Sequence, residues 1–158
     1  MASTRASPRA DLAVVHAAIA CLGRLTGAFS RRREQLALSV GLTDGQWGVL
    51  EEISREHFMP SMFAKTRESS PAAVSKTLRQ LLCKDLISVS LSKSDGRQRD
   101  YVLTAKGRRI LQTLRDEREL AIQKIWLTLD RTQVENFVTF GTTLTDRLDE
   151  YASKNKDK

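Results

Sequence analysis

A mostly α-helical α+β fold is predicted by three observations. Chain breakers are sparse, with 8 Gly and 3 Pro in 158 residues, which favours long helices. Apolar residues recur at helical spacing in six segments. Between residues 86 and 104 the period changes to the alternation expected of strands. Hydrophobic residues make up 41% and charged residues 28% of the chain, enough to bury a core and too apolar for general disorder.

The elements follow in order. Residues 1–10 carry Ser, Thr, Pro and two Arg without an apolar run, and are expected to be disordered and not a signal peptide. A long helix begins at Asp11. Leu12, Val15, Ile19, Leu22, Phe29 and Leu36 form a nearly heptad stripe on it, which a small domain cannot cover and which implies a partner helix. Gly41 ends this helix. Thr43 caps the next, which runs through Trp47 and Leu50 to about residue 56. Pro60 opens a short helix around Met62 to Lys65. Ser69 or Ser70 caps another, with Pro71 in its first turn, where a missing N–H costs nothing. Its apolar face carries Val74, Leu78, Leu81 and Leu82; its polar face carries Ser75, Lys76 and Arg79. Segments 86–92 and 100–104 read as two strands of a hairpin around a charged, Gly-containing tip. Thr104 caps a long helix to about residue 127, and Asp130 caps a last one. Residues 153–158 are polar and expected to fray.

Helix, short helix, capped helix with a polar-basic face, then a hairpin with a basic tip is the order of a winged helix-turn-helix. The expected organisation is a disordered 1–10, a dimerisation helix 11–40, a winged helix-turn-helix DNA-binding region 41–107, dimerisation helices 108–152 and a flexible tail 153–158. The charge agrees with it. The net charge is +7. Residues 60–110 hold eleven basic side chains against four acidic ones, so the whole excess lies in this central third. A concentrated positive field suits a phosphate backbone, although a generic basic surface or an anionic membrane contact would share it.

Candidate DNA-binding residues follow from this placement. Ser70, Ala72, Ala73, Ser75 and Lys76 lie on the first turns of the presumptive recognition helix, where small side chains let backbone approach base edges and Ala methyls can meet thymine methyls. Lys76 and Arg79 reach guanine edges or phosphates. Arg97 at the hairpin tip suits a narrow minor groove, with Lys93 and Arg99 on flanking phosphates. Asp95 can pair with Arg97 or Arg99 and fix the tip. Each element taken singly also reads as an amphipathic surface helix or a solvated turn.

The stretch SPAAVSKTLRQLLCKDLISVSLSKSDGRQRDYVLTAKG, Ser70 to Gly107, resembles the MarR family of bacterial transcriptional regulators. Asp95, Gly96 and Arg97 match that family's wing Asp-x-Arg; LTAKG, Leu103 to Gly107, matches the motif after its wing; LTDGQWGVL, Leu42 to Leu50, matches the start of its second helix. The resemblance extends over nearly the whole chain. It implies a homodimer with two winged lobes on a pseudo-palindromic operator, an inverted repeat in double-stranded DNA. It assigns the wing Arg to Arg97, its Asp partner to Asp95, and base reading to residues 70–79. Two departures stand out. Asp85 replaces a frequent Gly at the turn after the recognition helix, and Asp tolerates the left-handed conformation. Residues 58–63 are unusually apolar where the family's short helix begins, which points to altered packing of the reading head or an extra pocket wall.

Many relatives release DNA on binding small aromatic or carboxylate effectors. Phe29 and Trp47 are candidates to line such a site, with His16 or Arg24 for a carboxylate, although aromatics at helical spacing usually belong to a core. Cys21 is the redox candidate, against the reading of a small thiol beside the apolar stripe. No metal site is expected, because Cys21 and Cys83 are far apart and His16 and His57 stand alone. No cofactor motif and no catalytic spacing is present, so an enzyme is not expected. Two thiols suit a cytoplasmic location, and no apolar run is expected to span a membrane. Two other functional classes remain open: a winged-helix protein-interaction module, and a sequence-tolerant nucleoid-like DNA binder.

Overall fold

The computed structural model describes residues 10–55, 58–91 and 99–155. The expectations for residues 1–9, for the hairpin tip and for residues 156–158 lie outside them. Nine elements follow one another: α1 (Leu12–Ser39), α2 (Asp44–Ile53), α3 (Pro60–Thr66), α4 (Pro71–Cys83), β1 (Ile87–Leu91), β2 (Arg99–Leu103), α5 (Ala105–Ile125), a 3-10 turn (Trp126–Thr128) and α6 (Arg131–Lys154). The winged-helix order predicted from the sequence is therefore present.

Local chemistry explains the boundaries. The Asp11 carboxylate accepts from the Val14 amide at 2.9 Å and starts α1. Gly41, at φ 72°, ends it in the left-handed conformation that glycine adopts without a Cβ penalty. Thr43 and Gln46 form a reciprocal capping box on α2, each accepting the other's backbone N–H at 3.2 Å. The helix stops at Ile53, short of the expected residue 56. Ser70 accepts from the Ala73 amide at 3.2 Å and Pro71 occupies the first turn of α4. Asp130 accepts from the Gln133 amide at 3.0 Å and starts α6, which stays helical through Lys154, into the segment expected to fray.

The turn after α4 takes the form anticipated for Asp85. Its φ is 56°, the Asp85 amide donates to the Leu82 carbonyl at 2.9 Å, and the Leu86 amide donates to the Leu81 carbonyl at 3.0 Å. The chain then enters an antiparallel pair in which Ile87 faces Leu103, Val89 faces Tyr101 and Leu91 faces Arg99.

Two compact units divide the chain, residues 1–114 and 115–158, with the division inside α5. The first holds the core: Trp47, Leu50 and Ile53 of α2, Val74, Leu78 and Leu81 of α4, Leu86 and Ile87, Leu111 and Leu114 of α5, and Leu36 and Ala37 of α1. Of the apolar segment 58–63, Phe58 and Phe63 pack against this core while Met59 and Met62 stay exposed. Phe58 packs against Phe63 at 5.8 Å between ring centroids and edge-on against Tyr101 of β2 at 6.0 Å, a favoured aromatic geometry. In the second unit no described residue is buried.

The first helix overturns one expectation. An 18-residue window of α1 is long and apolar enough to cross a membrane by length and composition, and none of it is buried. Its distal end, Leu36 and Ala37, nevertheless belongs to the core.

Candidate nucleic-acid interface

Helix α4 is seated by Val74, Leu78 and Leu81, all buried. At 100° per residue this anchors one side and turns Ala72, Ser75, Lys76 and Arg79 outward, and all four are exposed. Ala73 is exposed on the flank of the helix and Ser70 at its cap. Seven of the ten candidate DNA-binding residues can be placed: these six, and Arg99, exposed at the first position of β2. Lys93, Asp95 and Arg97 lie outside the described residues.

The tight turn before α4 is built on Glu68, at φ 50°, with the Ser69 amide donating to the Ala64 carbonyl at 2.9 Å. A non-glycine residue in this region is strained by about 1–2 kcal/mol, and the helix pair α3–α4 holds it there.

A second restraint on α4 comes from α2. Gln46 is the single buried polar side chain among the described residues, and its amide nitrogen donates to the Gln80 side-chain oxygen at 3.0 Å. One residue thus caps α2 and ties it to α4. Sequence reasoning missed the tie, because the partners are 34 positions apart.

Some of the basic residues are engaged in backbone capping. Lys84 Nζ donates to the Gly41 carbonyl, Lys106 Nζ to the Lys84 carbonyl at 2.8 Å and Arg108 to the Leu103 carbonyl at 2.8 Å. Lys76 makes no ion pair among the described residues, which leaves its charge available to an external anion.

The hairpin is fastened to α5 by Thr104 and Gly107. The Thr104 hydroxyl donates to the Asp85 carbonyl at 2.8 Å and accepts from the Gly107 amide at 3.0 Å; its own amide donates to the Leu86 carbonyl at 3.1 Å. A Cβ at Gly107 would meet the Leu86 carbonyl oxygen at 2.0 Å, so only glycine fits without moving the backbone. The LTAKG segment is thus a structural seam at the base of the wing.

The effector candidates are dispersed. Trp47 is 2% exposed and lies beneath the Arg33 guanidinium, 4.0 Å from its ring centroid; its indole nitrogen is buried without a hydrogen-bond partner. Arg33 also bonds Asp44 and reaches Glu51 at 3.3 Å, joining α1 to α2. His16, Arg24 and Phe29 are exposed on α1. Helical geometry sets Arg24 about 80° from His16 and Phe29 about 140° from Arg24, so one protomer does not converge them on one molecule. Cys21 is exposed, as is Cys83.

No family model and no curated protein matches this sequence. Solved structures do. The chain is similar to the MarR family transcription regulator SP03579, with a TM-score of 0.79 and 18% identity over 88% of this chain and 93% of that one. It is similar to RV1404 from Mycobacterium tuberculosis, with a TM-score of 0.69 and 20% identity over 90% and 97%. It is also similar to S. aureus MepR in a DNA complex, with a TM-score of 0.64 and 18% identity over 81% and 94%. Together with the seated α4, the β1–β2 hairpin and the seam at Gly107, these likenesses show that the chain has the winged-helix fold of the MarR family transcription regulators.

Proposed function

We propose that this chain is a homodimeric, sequence-specific DNA-binding transcriptional regulator. It acts in the cytoplasm as a repressor that occupies a pseudo-palindromic operator. The observation that carries the reading is the outer face of α4: small residues at 72, 73 and 75 beside Lys76 and Arg79, on a helix fixed from behind by the core. Small side chains admit the backbone to a major groove, and the cations meet base edges or phosphates. A DNA-bound structure, that of S. aureus MepR, is among those with this fold.

Self-association is supported by what the fold leaves uncovered. Leu12, Val15 and Ile19 on α1, and Phe137, Phe140 and Leu148 on α6, are all exposed. Apolar surface of that extent marks an interaction site, and a second copy of the chain is the partner that would place two recognition helices about one DNA turn apart. The wing arginine, Arg97, would then enter a flanking minor groove with Asp95 and Lys93 beside it. Release from the operator by a small aromatic or carboxylate molecule, or by oxidation of the exposed Cys21, completes the proposal; a salicylate complex exists for S. aureus MarR.

Selection of bound sequences from a random duplex library at physiological salt tests the reading. An inverted repeat with half-sites about one turn apart is the expected result. Binding without a recovered motif would favour a nucleoid-like role, and no binding at all would favour a protein-interaction module. Arg97→Ala is expected to flatten any A·T preference at the flanks; equal binding by mutant and parent would remove Arg97 from the interface.

A further inference from the structure

Residues 58–63 are apolar beyond what the core takes up. Phe58 and Phe63 pack against it, but Met59 and Met62 are 43% and 62% exposed. Met59 is the N-cap of α3 and Met62 the third residue of the helix, positions whose side chains lie next to each other at a helix start. Polar side chains are favoured at an N-cap, where they accept from the free amides; Met59 makes no such bond. Neither the core nor the stability of α3 therefore accounts for two large apolar side chains held side by side in water.

The hairpin continues this surface. Ile87 pairs with Leu103, Val89 with Tyr101 and Leu91 with Arg99, so these side chains share one face of the strand pair. At its base Ile87 and Leu103 join the core; further out Val89 is 42% and Leu91 69% exposed. Phe58 connects the two pieces, its ring edge-on to Tyr101 at 6.0 Å and 5.8 Å from Phe63, with Met59 next in the chain. Single exposed apolar side chains are ordinary, but four gathered around one aromatic contact form a patch of the kind that binds a partner. Methionine, unbranched and polarizable, adapts to the shape it meets. The ends of the patch are cationic. Lys65, three positions beyond Met62 on α3, and Arg99, opposite Leu91, are exposed, and neither makes an ion pair among the described residues. Asp100 alternates to the opposite face of the hairpin.

We infer that the face formed by Met59, Met62, Val89 and Leu91 docks an acidic amphipathic helix of another protein. The apolar stripe of such a helix, at i, i+3 or i+4 and i+7, covers the four side chains, and its carboxylates meet Lys65 at one end and Arg99 at the other, which fixes its register. A lipid surface fits less well, because electrostatic attachment to lipid takes clusters of roughly 4–8 cations and the flanks of this patch are Lys65 and Arg99. Of the candidate DNA contacts the surface shares only Arg99. Its occupancy does not depend on the chain being a regulator.

The test uses the full-length chain with carbon-13 methionine methyls. The chain has 3 Met: Met59 and Met62 report on the face and Met1 is the reference. The probe is a synthetic helical peptide with Leu at i, i+3, i+4 and i+7 and Glu at the other positions. Saturable shifts of the Met59 and Met62 methyls, with Met1 unmoved, are expected. Replacing the peptide's Glu by Gln should weaken binding about threefold or more, as exposed ion pairs allow. Met62→Ser and Leu91→Ser, on separate elements and both at exposed positions, should each weaken it about tenfold, the worth of one buried apolar side chain, with the melting temperature unchanged. No saturable shift, equal affinity for the Gln peptide, or a loss confined to one of the two variants would overturn the assignment. Shifts caused by phosphatidylglycerol vesicles and not by the peptide would replace it with a lipid surface, and shifts that grow with protein concentration alone would replace it with a contact between copies. DNA binding measured on the same sample is a separate readout: its absence would fail the regulator reading and leave the docking face in place.

Discussion

The two compact units share helix chemistry and differ in what stands behind it. In residues 1–114 every element from α2 to the start of α5 lies in or packs against a single buried cluster, β2 through the partly buried Tyr101 and Leu103. In residues 115–158 the helices are equally regular and Asp130 caps α6 as Thr43 and Ser70 cap α2 and α4, yet none of the described residues is buried. Local signals write both units; only the first receives a core from its own chain. Helix propensity and caps stabilise a helix by small increments, and the second unit leaves Phe137, Val138, Phe140 and Leu148 exposed.

Truncations at matched aromatic and aliphatic positions sharpen this contrast most. Leu50→Ala, in the core of the first unit, is expected to cost about 2–5 kcal/mol at every protein concentration, as buried leucines do. Phe140→Ala, at a side chain 54% exposed in the protomer, is expected to shift the melting temperature only through association, so that its effect grows with protein concentration. Denaturation of both variants across a concentration series checks this; a Phe140→Ala effect independent of concentration would break the comparison. Gly107→Ala comes next. The new Cβ would be driven against the Leu86 carbonyl, and about 1–3 kcal/mol of overpacking is expected, read by chemical denaturation.

Lys76→Ala tests the outer face of the first unit. It should leave stability within about 0.5 kcal/mol and weaken operator binding by about 1–3 kcal/mol if Lys76 reads a base edge, with relaxed preference at one position. A uniform loss over all sequences, with a shallower salt dependence, would make Lys76 a phosphate contact instead. The smallest effect belongs to the caps. Thr43→Ala and Asp130→Ala should each cost about 1 kcal/mol. The first should be independent of concentration and the second coupled to association, which sedimentation alongside thermal melts would separate.

Much of the fold was legible because its signals are local. Asp11, Thr43, Ser70 and Asp130 cap helices where a short polar side chain precedes an apolar period, and Asp85 adopts the left-handed turn its side chain permits. The polar face of α4 was legible from spacing alone. What escaped the sequence is non-local. Gln46 reads as a capping-box residue, and nothing in its neighbourhood announces Gln80. Arg33 sits in a run of three arginines, and nothing local marks it as the one that lies over Trp47 and bonds Asp44, 11 positions away. Trp47, a candidate lining residue, is 2% exposed in the core beneath Arg33. The apolar stripe of α1, read from its spacing, is buried within the chain only at its distal end.

The position of Leu114, the last buried residue, carries a consequence for how the protein is made. Synthesis proceeds from the N-terminus, and units fold as they emerge. All the groups that close the core, from Leu36 to Leu114, are translated before α6 begins. The hairpin and the start of α5 are joined through Asp85, Leu86, Thr104 and Gly107, at most 22 positions apart, a short loop that closes at low entropic cost. A nascent chain can therefore complete the core of its first unit while the helices of the second are still being polymerised. The exposed apolar side chains of α1, Leu12, Val15 and Ile19, are then held out on a unit whose core is already closed.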